Sequence, residues 1–175
     1  MKTSKIVILA LCGPVFLLAI SCQDKQAAEE LQKYQAVDIM EAANIEVVQS
    51  FYKLLDEVNL DAAEALFTDN GEIYYQSMEE PANFEEMKPL VEIFYTAFPD
   101  YKHSIESIFA SGDMVVARIT YSGTHEDTFM EIPPSGNKFA YNGIFICQLS
   151  DNKIMKMWGV EDELTMMRQL GLELQ

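Results

Sequence analysis

The apolar residues of this 175-residue chain change their spacing near residue 100, and that change restricts the fold more than any other feature. Before it, Val47, Val48, Phe51, Tyr52, Leu55 and Val58 recur at helical intervals behind Asn44, a residue type that caps helices. Asp61 with Glu64 three residues on is a capping-box variant that would open a short helix through Phe67. Thr68-Asp69-Asn70-Gly71 is a turn cluster, and Glu72 to Gln76 suits a short strand. Asn83 with Glu86 starts another helix, with Leu90, Val91, Phe94, Tyr95 and Phe98 inward and Pro89 expected to kink it or delay its start.

After residue 100 the period is two. Tyr101–Ala110 and Met114–Gly123 flank Ser111-Gly112-Asp113 as a hairpin. If partners' numbers add to 224, Ala110 faces Met114, while Glu106 faces Arg118 and Ser104 faces Thr120 on a polar side. His103 then faces Tyr121 on an apolar side with Ile105, Phe109, Val115, Ala117 and Ile119. Lys138–Leu149 and Lys153–Val160 form a second hairpin around Asp151-Asn152, with partners adding to 303, so that Phe145 faces Trp158. Glu161 to Leu170 is a last helix with Leu164, Met167 and Leu170 inward, stopped by Gly171. Helices followed by a run of antiparallel strands predict an α+β domain with helices on one face of a curved sheet.

The N-terminus reads differently. Lys2 and Lys5 precede the 15-residue apolar run Ile6 to Ile20. As a helix that run reaches roughly 22 Å, short of the roughly 30 Å of a bilayer's hydrocarbon, so it reads as a secretory signal. Its end, Ser21-Cys22, resembles the lipobox of bacterial lipoproteins, in which Cys22 would carry the lipid; a plain signal peptide cut nearby is the alternative. The expected organisation is a signal peptide over 1–21, a polar tether over 22–43 and the folded domain over 44–175, exported and held at a membrane. Removing 1–21 takes two Lys and no acid from the chain's 12 Lys+Arg and 28 Asp+Glu, leaving a net charge of −18. That excess argues against nucleic acid as a partner and against adhesion to anionic lipid by charge. Only Cys147 then remains, in the apolar run Ile144-Phe145-Ile146-Cys147, and it reads as a buried, inert thiol.

Phe98-Pro99-Asp100, Ser111-Gly112-Asp113, Gly123-Thr124-His125, Phe129 through Gly136, Asn142-Gly143-Ile144, Lys153-Ile154, Trp158 through Asp162 and Arg168 through Gly171 occur in that order. The stretch resembles the SnoaL-like polyketide cyclase (ester cyclase) family of the NTF2-like superfamily. The resemblance implies a cone with a deep, mostly apolar pocket between helices and concave sheet. It implies a homodimer or higher homo-oligomer packed through the sheet's outer face, and ring closure by an intramolecular aldol step without metal or cofactor. It also assigns a general acid/base to an acid at the end of the last strand, matched here to Asp162. The sequence departs from the family where histidines are usual, reading Tyr74-Tyr75-Gln76 and Ile144-Phe145-Ile146-Cys147-Gln148.

The candidate catalytic residues are therefore Asp162, His125 and His103, with Tyr75, Tyr121, Phe129, Asn142 and Trp158 expected to line the pocket. Each has a structural alternative. Asp162 suits a helix cap, His103 suits a core imidazole satisfied by Tyr121 or a backbone carbonyl, and His125 suits a loop. Consecutive His125, Glu126 and Asp127 do not readily converge on a metal. A carboxylate facing an apolar pocket would gain the raised pKa that proton abstraction beside a carbonyl needs. The two surviving functions are a cofactor-free cyclase or isomerase acting on a small apolar carbonyl compound, and a lipid-anchored module that binds such a molecule without turnover.

Overall fold

The computed structural model describes the backbone of residues 13–75 and 78–172, with side chains from Lys25 onward. Residues 1–12 of the expected signal peptide, and the Cys22 side chain, lie outside the described residues. The elements are α1 (Gly13–Asp56), α2 (Leu60–Glu64), β1 (Phe67–Tyr75), α3 (Phe84–Ala97), β2 (Lys102–Ser111), β3 (Met114–Thr124), β4 (Lys138–Ser150), β5 (Lys153–Glu161) and α4 (Glu163–Leu170). The chain divides into two units, Met1–Ile39 and Met40–Gln175. In the first, residues 25–39 are helical with every side chain exposed. Among the described residues no helix is long and apolar enough to cross a membrane.

The second unit holds a five-stranded sheet in the order β1-β5-β4-β3-β2, parallel between β1 and β5 and antiparallel elsewhere. Its curved inner face is covered by helices, the α+β architecture expected. Val48, Phe51, Tyr52 and Leu55 of α1 are buried against that face, as their spacing requires. Asn44 caps nothing, because α1 runs through it. It is buried, and its amide donates to Gly112 O at 3.2 Å while Glu41 accepts from Gly112 N at 2.7 Å. Gly112, at φ +62, turns the β2–β3 hairpin, so these two polar side chains tie the helix to a turn.

Helix α2 is capped by Asn59 and not by Asp61, which instead pairs with Lys88 at 2.8 Å; Phe67 opens β1. The Asn83–Glu86 capping box forms as expected, and Pro89 lies inside α3 without delaying its start. The buried thiol of Cys147 is pushed up to about 12 by desolvation and stays unreactive.

Both hairpins contain a bulge that the alternation did not reveal. In β2–β3 the pairs His103–Tyr121 and Ser104–Thr120 stand as expected, but Glu106 is an extra residue, so that Ser107 pairs with Arg118 and Ala110 with Val115. Arg118 still reaches Glu106, at 4.0 Å. Beyond the bulge the faces swap: Ile108 and Ala110 turn inward and Phe109 is 59% exposed, contrary to expectation. In β4–β5 the turn end keeps the expected register, but Met155 is extra, so Phe145 pairs with Gly159 and Ile146 with Trp158. Strand β5 then runs through Glu161, and α4 begins at Glu163, burying Met166 and Leu170 and leaving Leu164 exposed.

Candidate active site

The bulge at Met155 determines which acid enters the molecule. Without it Lys156 would lie opposite Cys147 on the buried face, where an unpaired ammonium is too costly. The extra residue turns Lys156 outward, to 3.1 Å from Glu72 and over the Tyr74 ring. It also turns Met157, Gly159 and Glu161 inward. Gly159 is required there: a Cβ would lie 2.6 Å from the Phe145 ring and 2.8 Å from that of Tyr75. Gly143, the partner of Glu161 on β4, likewise leaves room for the Tyr121 ring and the Glu161 stem, which a Cβ would meet at 2.9 and 3.1 Å.

Glu161 thus enters a cavity of about 160 Å³ between α1, α3 and the inner face of the sheet, walled by apolar groups such as Leu55, Val91, Phe94, Phe145 and Met157. Its carboxylate accepts from the Tyr141 hydroxyl at 3.1 Å, and Tyr141 lies 2.7 Å from the Tyr101 hydroxyl. Since Tyr141 gives its proton to Glu161, Tyr101 donates to Tyr141. Desolvation pushes Glu161 up to about 7; the Tyr141 hydrogen bond pulls the other way and the nearby Glu163 adds to the rise.

Opposite elements supply a second polar group. His103 Nδ1 is 2.6 Å from Asp56 Oδ1 at the end of α1, and the His103 backbone N–H donates to the same oxygen at 3.1 Å. A carboxylate oxygen accepts, so the tautomer that suits this pair has Nδ1–H donating to Asp56, with Nε2 as the ring's other polar atom. The imidazole lines the cavity, with the Tyr101 and Tyr121 rings each centred 5.1 Å away and that of Tyr52 at 5.2 Å. The hydroxyls of Tyr52, Tyr95 and Tyr121 are buried without a hydrogen bond of full geometry. Burial raises Tyr52, Tyr75 and Tyr121 far above the ordinary phenol value, so they stay protonated and can only serve as neutral donors or acceptors.

Of the residues expected at the site, His103, Tyr75 and Tyr121 are in the cavity lining and the others are elsewhere. Asp162 is exposed and caps α4, accepting from Thr165 N at 3.1 Å and Thr165 Oγ1 at 2.7 Å. Those bonds hold its carboxyl below the usual range, the opposite of what a pocket base needs. His125 is fully buried in the β3–β4 connection, where Ser135 N donates to its Nδ1 at 3.3 Å and Phe98 lies against the ring. Phe129 is core, 4.9 Å from both Phe94 and Phe98 between ring centres. Asn142 is exposed on the outer face, accepting from Thr120 Oγ1 at 3.2 Å. Trp158 stacks on Tyr74 at 5.6 Å on that same outer face.

Glu161, the acid that reaches the cavity, escaped the sequence reading by one position. The signal was Lys156, a charge that a regular strand would have buried. Among the described residues no three His, Cys, Asp or Glu side chains are grouped so as to hold a metal ion.

A family model described as SnoaL-like polyketide cyclase matches residues 45–170. A comparison with curated protein sequences finds no match. Among solved structures, AclR of Streptomyces galilaeus, provisionally described as a hydroxylase, superposes with a TM-score of 0.69 at 23% identity, covering 75% of this chain and 97% of its own. Wild-type IdmH of Streptomyces antibioticus, provisionally described as a polyketide cyclase, gives 0.67 at 24% identity, over 74% and 99%. A protein of Bacillus cereus with the same provisional description gives 0.64 at 28% identity, over 75% and 83%.

Proposed function

This chain belongs to the SnoaL-like polyketide cyclase family, and on that premise we propose that its cavity binds a small carbonyl compound and that Glu161 moves the proton beside the carbonyl. The observation that carries the reading is a carboxyl with a pKa near 7 inside an apolar-walled cavity. Such a group is ionised often enough to act as a base at neutral pH, and basic enough to take a carbon-bound proton. Ionised Glu161 removes the proton, and the C–H electron pair moves to the carbonyl oxygen as an enolate. The enolate carbon then attacks a second carbonyl of the same molecule and closes a ring, or regains a proton at another carbon and isomerises. Glu161, now protonated, returns that proton to the new alkoxide or carbon, and His103, held by Asp56, lines the same cavity.

The test follows solvent deuterium entering the α-carbon of cyclohexanone by NMR. Wild type should accelerate exchange with a midpoint near pH 7, and Glu161→Gln should lose about 10²–10⁴-fold, the usual contribution of general acid/base catalysis. Ketone that binds, shown by its ring protons broadening, but never exchanges faster than in buffer would make the cavity a binding module instead.

The outer face of the sheet suits a second copy of the chain. Phe109 and Val116 pair across β2–β3, Val116 and Ile146 across β3–β4, Ile146 and Trp158 across β4–β5, and Trp158 and Tyr74 across β5–β1, making one apolar row over five strands. Ile144 and Val160 lie beside it, 50% and 58% exposed. The face also carries the Glu106–Arg118 and Glu72–Lys156 pairs, which are neutral overall. In a chain of net charge −16, such a face lets two copies meet without strong repulsion.

A further inference from the structure

We propose that the Tyr52 and Tyr121 hydroxyls together receive the oxygen of the ligand, and that this ligand is a neutral carbonyl compound of about one ring; this rests on Glu161 being the base.

Three observations converge on that assignment. The first is the pair of hydroxyls. Tyr52 stands on α1 and Tyr121 on β3, on opposite walls of the cavity, and both rings flank His103, at 5.2 and 5.1 Å. Both hydroxyls are buried and neither makes a hydrogen bond of full geometry; Tyr121 stands close enough to act on Tyr52 as a donor, so the two hydroxyls adjoin and can turn to one shared acceptor. Buried polar groups are nearly always satisfied, and an exception calls for an explanation. An acceptor atom in the cavity, reached from both sides, supplies one. Tyr101 and Tyr141, by contrast, are already committed to each other and to Glu161.

The second observation is the charge of the lining. It contains Glu161, Glu163 and His103 but no Lys or Arg. A carboxylate ligand would enter without a counter-charge and beside an acid, whereas a ketone brings no charge. When Glu161 takes the proton, the cavity's negative charge passes from the carboxylate to the enolate oxygen, so the total is unchanged while the charge moves under the two hydroxyls. Donors placed where charge develops stabilise the transition state more than the bound ketone.

The third is size. A cavity of about 150 Å³ holds benzene, and this one is about 160 Å³. One ring with a small substituent fills it.

The experiment uses 4-nitrophenol, whose phenolate is a one-ring oxyanion with a visible absorption, as a stand-in for the enolate. Binding is measured by difference absorbance on Glu161→Gln, whose amide mimics the protonated acid. The expected result is saturable binding of the phenolate, weakened about tenfold or more by adding Tyr52→Phe or Tyr121→Phe, the loss of one hydrogen bond to a charged group. Tyr74→Phe, on the outer face, should leave it unchanged, and 1-naphthol should bind far more weakly than 4-nitrophenol. Circular dichroism checks that each phenylalanine variant keeps the fold. The proposal is overturned if both variants bind as tightly as their parent, if hexanoate binds better than the phenol, or if 1-naphthol binds equally well. Tyrosine-dependent phenolate binding alongside undiminished deuterium exchange in Glu161→Gln would instead refute Glu161 as the base and leave the hydroxyl pair standing.

Discussion

The inner face of the sheet carries Tyr121, Tyr141, Phe145 and Glu161 beneath α1 and α3, whereas the outer face of the same strands carries Phe109, Ile144, Ile146, Trp158 and Val160. Inside, what lacks a partner of full geometry is polar: three tyrosine hydroxyls, in a cavity they share with a carboxyl that desolvation raises to about 7. Outside, what lacks a partner is apolar, while the charged groups are paired with one another. An unpaired polar group in a small cavity suits the small molecule proposed for it, and an apolar row across five strands suits the second copy proposed there. The same strands carry both surfaces because successive side chains point to opposite faces.

The largest effect expected from disturbing this contrast is on stability at Glu161. Its folded-state pKa lies above the ordinary 4.5, at about 7, so the folded state holds a proton that the unfolded chain has released. Stability from this group is therefore fully present below pH 4.5 and is lost as pH rises through 7. Glu161→Gln removes that loss. Urea unfolding should find the variant and wild type close at pH 4.5 and the variant more stable at pH 8 by roughly 3 kcal/mol. An equal difference at both pH values would mean that the carboxyl is not desolvated.

A smaller effect is expected outside. Val160→Asp places a charge in the apolar row, and sedimentation should show the proposed dimer weakened by about tenfold or more. Its unfolding should change little when measured on the monomer. Wild type sedimenting as a monomer at high concentration would remove the outer face as an interface.

The smallest effect marks the boundary between the faces. Glu161 and Asp162 are neighbours in sequence, one inward and one exposed as the cap of α4. Asn caps helices about as well as Asp, so Asp162→Asn should leave the unfolding midpoint and the rate of deuterium exchange nearly unchanged. A large loss of exchange would reassign the base to Asp162.

Much of the fold was legible because it depends on patterns that repeat. The helix carrying Phe51, Tyr52 and Leu55, the Asn83–Glu86 box, the pairing of His103 with Tyr121 and the stop at Gly171 each rest on spacing or on a local hydrogen bond. The site was legible only in part. His103, Tyr75 and Tyr121 fell where alternation put them, but Trp158 did not, because a single extra residue at Met155 reversed every face downstream; Asp162, matched by resemblance alone, caps α4 instead. Asn44 illustrates the same limit: its residue type suits a cap, yet a turn 68 residues away in sequence claims its amide.

The sequence by itself determined the α+β class, the family, the order of the elements and the excess of acid, since all of these follow from residue type and period along one chain. Only the tertiary structure decided which of two adjacent acids enters the cavity. That choice depends on keeping Lys156 out of the core and on fitting Gly159 under Phe145. Both are costs that arise only when strands are already packed together, where burial of one charge or one methyl group too many outweighs the local preference of any single residue.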